Sequence, residues 1–268
     1  VTWYGSEEES VIEKFKPYID SFGLLAQTDG DGGDSAQREG MLLTAAAALL
    51  KLGKISLNDY IEVRWRFLGS VQNKIIRSDG KLRRHCDETK WYGQWNRGSR
   101  DQAHIIIGMG LANCMEPLER MRLDHQRRLY LFTTNTVANT SDHQKWKLPD
   151  LTGPGFWAMW IRAFNRTHPS QGTLKSILFF MDLSLVANSL IWRFYHLKYN
   201  KEHTDILNHL QAMIQSKMSL DTPLAKLARW ILKSAPIKEM LKDYFAPSTN
   251  GITPLAEVYE PIVDWVQS

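Results

Sequence analysis

"TDGDGGDSAQREGMLLTAAAALLKLG", Thr28 to Gly53, decides the fold. Its first seven residues hold three aspartates and three glycines, and polar residues through Glu39 lead into an alanine- and leucine-rich run. Alanine and leucine are strong helix formers and Gly53 is a natural stop, so the spacing predicts a helix over residues 35–52. Asp34 with Gln37 reads as a capping box at its start. Asp29 and Asp31 remain available to a cleft, on a loop whose glycines let it bend tightly. The loop does not fit a calcium hand. Counted from Asp29, position 5 is Gly33, position 6 is Asp34 and position 12 is Gly40, where a ligand, a glycine and a glutamate are required. No metal and no cofactor is expected.

Helical periodicity continues on both sides. Ser6 with Glu9 predicts a capping box opening a helix through residue 22, with Val11, Phe15, Tyr18 and Ile19 on one face. A helix starting near Ser56 carries Ile61, Trp65, Leu68 and Val71. Further helices are expected over 100–112, 116–132, 156–165, 172–199, 203–218, 222–234, 237–244 and 254–266, with Pro223 and Pro254 suited to first turns. "RLYLFTTNTVAN", 128–139, is the one serious strand candidate. The expectation is an all-α chain forming one domain over 1–268, with long loops near 76–99 and 133–155. Loops of that length inside a compact domain are functional or disordered, and both contain tryptophan, aspartate and histidine, which favours function. "GDSAQREGMLLTAAAALL" and "GSRDQAHIIIGMGLANCM" echo one another, each running from glycine and polar residues through Gln into an apolar helix containing Gly-Met. Repeated helical hairpins that send their loops to one rim would produce this echo.

Bulk properties set outer limits. A hydrophobic content of 43% with 23% charged residues suits a soluble chain with a sizeable core. The net charge of +4 is too weak to argue for nucleic acid, and "KLRRH", 81–85, reads as solvated surface. Cys86 and Cys114 form no CxxC; they either pair after export or stay thiols. The most apolar run, "SILFFMDLSLVANSLIW", is interrupted by Asp182 and Asn188, so no membrane span is expected. The chain starts at Val1 without a visible signal peptide, which leaves localisation open with a lean toward extracellular, periplasmic or virion-associated sites.

"KWYGQWNRGSRDQAH", Lys90 to His104, carries the chemistry. Trp91, Tyr92 and Trp95 offer aromatic faces beside Asn96, Arg97, Arg100 and Asp101. Stacking faces interleaved with hydrogen-bonding and charged groups are what a carbohydrate requires; bases would stack on them too. With Ser99 as cap to Gln102, Asp101 falls in the first turn, near the positive end of the helix dipole, which suits a base or charge stabiliser. Arg100, Asp101 and His104 can face one rim, and Arg38 belongs to the matching first turn after Asp34. In the second loop Trp146 and Asp150 are site candidates, whereas Trp157 and Trp160 at i,i+3 read as core.

Polar, aromatic and arginine-rich loops before apolar helices, in "DGDGGDSAQREGM" and "WYGQWNRGSRDQ", make the chain resemble the (α/α) toroid enzymes, among them glycoside hydrolases and polysaccharide lyases. The resemblance covers about half the chain and implies a helical-hairpin array, either an (α/α) toroid or an incomplete α/α barrel. The expected partner is a glycan or polysaccharide, cleaved by hydrolysis with paired carboxylates: Asp101 as base and Asp29, Asp31 or Asp34 as acid. The alternatives are a lyase acting on uronic acids, with His104 or Tyr92 as base, and a non-catalytic glycan-binding or assembly module.

Overall fold

The computed structural model describes residues 10–26, 33–93, 99–127 and 223–233, together with 186, 190, 260–262, 264 and 268. The chain falls into two compact units, Val1–Leu151 and Thr152–Ser268. The first holds α1 (Val11–Phe15), α2 (Ser35–Lys51), α3 (Leu57–Phe67), α4 (Ser99–Leu111) and α5 (Met115–Arg127). The second holds α6 (Pro223–Lys233), which opens on Pro223 as expected and buries Ala228 and Ile231. Residues 186, 190, 260–262 and 264 are helical, within the expected ranges 172–199 and 254–266. The expected helices over 156–165, 203–218 and 237–244, and the strand candidate over 128–139, lie outside the described residues. Among the described residues, extended pairing is limited to two isolated bridges, Ile19–Leu25 and Ile76–Leu82, so the described fold is all-α.

Helix α2 is buried on every side from Ser35 to Leu49, and α4 is buried from His104 to Gly110. A helix without a polar face belongs in the interior, and these two form the inner layer. They touch main chain to main chain. A Cβ added to Gly40 would lie 2.4 Å from the His104 carbonyl carbon, and one added to Gly108 would lie 2.7 Å from the Gly40 oxygen and 3.2 Å from Thr44 Oγ1. Only glycine permits that approach. The contacts advance in the same direction along both helices, 40 with 104 and then 44 with 108, so α2 and α4 run in the same sense.

Each inner helix ends in a left-handed residue and hands over to an outer one. Gly53 (φ 67°) stops α2, with Lys54 N–H donating to the Leu49 carbonyl at 2.8 Å, the Schellman arrangement. Asn113 (φ 57°) stops α4, with Cys114 N–H donating to the Met109 carbonyl at 2.9 Å. The short connections fold α3 back against α2 and α5 against α4. A complete capping box opens α3: Ser56 Oγ accepts from Asp59 N–H at 3.1 Å, and the Asp59 carboxylate accepts from Ser56 N–H at 3.2 Å.

Two expectations are corrected. The apolar residues expected to mark α3 divide: Ile61 and Trp65 are 39% and 67% exposed, whereas Val71 is buried in an inward stripe with Val63, Phe67 and Ser70. The apolar stripe at 63, 67 and 71 and three polar anchors agree on this rotation. Tyr60 Oη and Arg64 Nε each donate to the Ala112 carbonyl at 3.1 Å, at the negative end of α4, and Arg66 reaches Glu39 of α2. The first helix is also shorter than expected. Its cap is Ser10, which accepts from Glu13 N–H at 3.3 Å, and it ends at Phe15 rather than continuing to 22. Pro17 has no N–H and cannot continue an α-helix, so the chain tightens into a 3₁₀ turn over Lys16–Tyr18. Ser6 and Glu9 lie outside the described residues.

Gly40→Ala is expected to destabilise the protein by at least about 2–3 kcal/mol, because the obstacle is main chain rather than a movable side chain. Gly69, in the widened turn that continues α3, has nothing within 4 Å of an added Cβ, and Gly69→Ala should be neutral or stabilising by up to about 1 kcal/mol. Urea unfolding midpoints at constant slope check both.

Candidate functional site

Three segments meet where α2 begins: the turn over 18–26, the start of α2 itself, and the irregular stretch over 82–93. Asp34 occupies the cap position but its carboxylate makes no capping hydrogen bond. Its backbone (φ −115°, ψ 15°) is not the extended conformation a capping side chain needs. The cap comes from elsewhere: the Arg84 carbonyl accepts Ala36 N–H at 2.9 Å. Gln37 turns its amide toward Met41 Sδ at 3.9 Å instead of closing a box. The Asp34 carboxylate is left to the arginines, 3.9 Å from Arg38 and 3.8 Å from Arg84, as ion pairs longer than hydrogen bonds.

Behind this rim lies a charged interior. Glu39, the fifth residue of α2, is almost wholly buried and takes a two-pronged contact from Arg66 at 2.5 and 2.7 Å. Its Oε1 also accepts Leu25 N–H at 2.8 Å. Burial opposes the Arg66 charge, yet the Glu39 carboxylate outweighs it and holds the guanidinium above its ordinary pKa. Arg66 and Ser70 both donate to the Gly23 carbonyl at 3.1 Å, and Lys74 donates to the Phe22 carbonyl, so α3 and its widened turn grip the 18–26 turn by its main chain.

Asp20 and His85 tie that turn to the 82–93 stretch at 2.6 Å. His85 Nδ1 accepts Asp87 N–H at 2.9 Å, so Nε2 carries the ring proton and donates it to Asp20. Phe22 and Tyr92 meet the ring edge-on, with centroids 5.2 and 5.6 Å away. Burial raises the Asp20 pKa, but the His85 hydrogen bond and the N–H groups of Leu24 and Phe22 overcome it and leave it lowered. Both imidazole nitrogens are engaged, which makes His85 a clasp rather than a base. Burial pushes both thiols up, so Cys86 and Cys114, each free, are not activated nucleophiles.

The sequence candidates distribute as follows. Asp34 at the rim pairs with Arg38, which is itself buried at 6% exposure, and half-buried Tyr92 joins through His85, whose backbone N–H donates to the Tyr92 carbonyl at 3.2 Å. Arg100 and Asp101 occupy the first turn of α4, and Trp91 begins a 3₁₀ turn over Trp91–Gly93; their side chains lie outside what is described. Asp29, Asp31, Trp95, Asn96, Arg97, Trp146 and Asp150 lie outside the described residues. His104 is fully buried at the Gly40 contact, in the interior rather than on a rim. That contact falls about 7.5 Å from the start of each helix at 1.5 Å per residue. Because the helices run in the same sense, their first turns share one end. Among the described residues no three His, Cys, Asp or Glu side chains gather as metal ligands, and no helix is long and apolar enough to cross a membrane.

Arg84, His85, Asp20 and Arg66 were not singled out from sequence. "KLRRH" read as solvated surface, whereas Leu82, Arg83 and His85 are buried and each cation has a partner; Arg83 donates to the Lys74 carbonyl at 2.7 Å and pairs with Glu88 at 2.8 Å. The available signal was Glu39, a carboxylate entering an apolar helix, which needs a buried cation somewhere in the chain.

Arg66→Met should strand the Glu39 carboxylate and lower stability by about 3–5 kcal/mol, and adding Glu39→Gln, which keeps an acceptor for Leu25 N–H, should recover most of it; urea unfolding of the single and double variants checks this. The Asp20 contribution is present above the ordinary carboxylate range and is lost as pH falls through its lowered pKa. Asp20→Asn should therefore flatten the acid side of the stability profile, measured by urea unfolding between about pH 3 and 7.

No protein-family model, curated protein or solved structure matches the chain.

Proposed function

We propose that the protein is a carbohydrate-active enzyme that takes a polysaccharide at the end of the α2/α4 pair and cleaves it by hydrolysis. The observation carrying this reading is the shared end. Asp34 and Arg38 open α2, Arg100 and Asp101 open α4, and the same-sense inner helices bring both first turns to one side. Inner helices aligned in one sense, each returned by an amphipathic outer helix, are consistent with a toroid or incomplete α/α barrel whose loops gather at one rim.

In this reading Asp101 is the base, favoured by its place near the positive helix end. Asp29 or Asp31 supplies the proton, and inversion requires the two carboxyl groups to stand about 6.5–9.5 Å apart. Asp34, expected as a third acid candidate, is better suited to orienting Arg38 and Arg84, the two cations beside it. Trp91, Trp95 and Trp146 stack on sugar faces, Tyr92 buttresses the wall, and Asn96, Arg97, Arg100 and Asp150 meet hydroxyl or acidic groups. The burial of His104 disfavours it as the base of an elimination.

The test is digestion of a panel of neutral and acidic polysaccharides, following reducing ends and ultraviolet absorbance together. Hydrolysis gives reducing ends without absorbance, and Asp101→Asn should lower turnover by at least about a hundredfold while binding persists. Undiminished turnover in that variant sinks the assignment of Asp101. New absorbance indicates a lyase, and binding without product indicates an assembly module.

A further inference from the structure

The turn over 77–81 sits directly on α5. Gly80 (φ 85°) lies so close that an added Cβ would be 2.2 Å from the Arg120 carbonyl oxygen and 3.0 Å from Asp124 Cβ. The turn closes on itself, with Arg77 N–H donating to the Lys81 carbonyl at 2.8 Å and Gly80 N–H to the Arg77 carbonyl at 3.0 Å. Asp124, one helical turn beyond Arg120, is covered by it and only 4% exposed. Asp79, next to the contact glycine, brings a second carboxylate to the same place and accepts Lys81 N–H at 3.1 Å.

We infer that the 77–81 turn is a pH-operated latch on α5, seated while Asp124 is protonated and loosened when Asp124 ionises beside Asp79. Burial foremost, and then the Asp79 charge, raise the Asp124 pKa to about 6, against the pull of Lys81 and Arg127. The other charges at the contact are Arg77 at 3.5 Å and Lys81 at 3.9 Å from Asp79, and Arg120 at 3.7 Å from Glu116. A carboxyl whose pKa is raised in the seated state favours that state fully below its ordinary value of 3.8 and stops doing so as pH climbs through about 6. Across that window the seated-to-open ratio falls by up to roughly a hundredfold.

The turn lies between the two residues of the Ile76–Leu82 bridge, and two residues past Leu82 comes Arg84, whose carbonyl caps α2. Loosening the latch therefore slackens the segment that forms the rim; that consequence rests on the proposed site, and the latch itself does not.

Hydrogen exchange of the Gly80, Lys81 and Arg83 amides, corrected for intrinsic rates between about pH 4 and 8, tests it without any glycan. Protection in the wild-type protein should fall by tens- to a hundredfold toward neutral pH. Asp124→Asn should hold protection constant, and Asp79→Asn should move the midpoint to lower pH. Constant wild-type protection, or an unchanged fall in Asp124→Asn, overturns the latch. If Asp124→Asn does not fold, an unmoved midpoint in Asp79→Asn overturns it alone.

Discussion

The approach of α2 to α4 at Gly40 and Gly108 is the constraint on which the rest of the described structure depends. With the two backbones in contact, each inner helix can carry small residues only along the shared seam, and Gly40 with Thr44 on one side and Gly108 on the other meet that demand. Large apolar residues fill the rest of both helices, among them Leu42 and Leu49 from α2 and Ile106 and Ile107 from α4. Dispersion contacts at such a spacing are many and individually weak, so the seam stabilises by fit rather than by any single pair. It also fixes the direction of both helices, and with it the end at which their polar approaches arrive.

Charge in the interior serves a different purpose. A buried ion pair contributes little net stability against an apolar pair of the same volume, but one partner without the other is severely unfavourable. Glu39 therefore admits one arrangement, with α3 rotated to deliver Arg66 and the 18–26 turn placed to deliver Leu25 N–H. The outward position of Trp65 agrees with this: the rotation that delivers Arg66 to Glu39 also turns the Val63, Phe67 and Val71 stripe inward.

Local signals were legible in the sequence wherever structure is decided locally. Gly53, Ser56, Pro223 and the alanine run of α2 each marked a boundary that the fold keeps within a residue or so. Pro17 was legible too, and its veto on a helix through residue 22 is a rule of backbone chemistry. What could not be read were partners distant in the chain. Nothing near Asp34 indicates that a carbonyl fifty residues away will cap its helix, and nothing in "KLRRH" shows that Asp20 awaits His85. Composition suggested a polar rim; which charges stand there, and which are spent on holding the wall, is decided by tertiary pairing.

The Glu39–Arg66 pair also orders events in time. On a growing chain Glu39 is made 27 residues before its cation, so during synthesis the carboxylate must stay in water until α3 has emerged. Closing the inner helix over Glu39 before Arg66 is in place would bury a carboxylate without its cation, so the docking of α3 and the closing of the interior are one step.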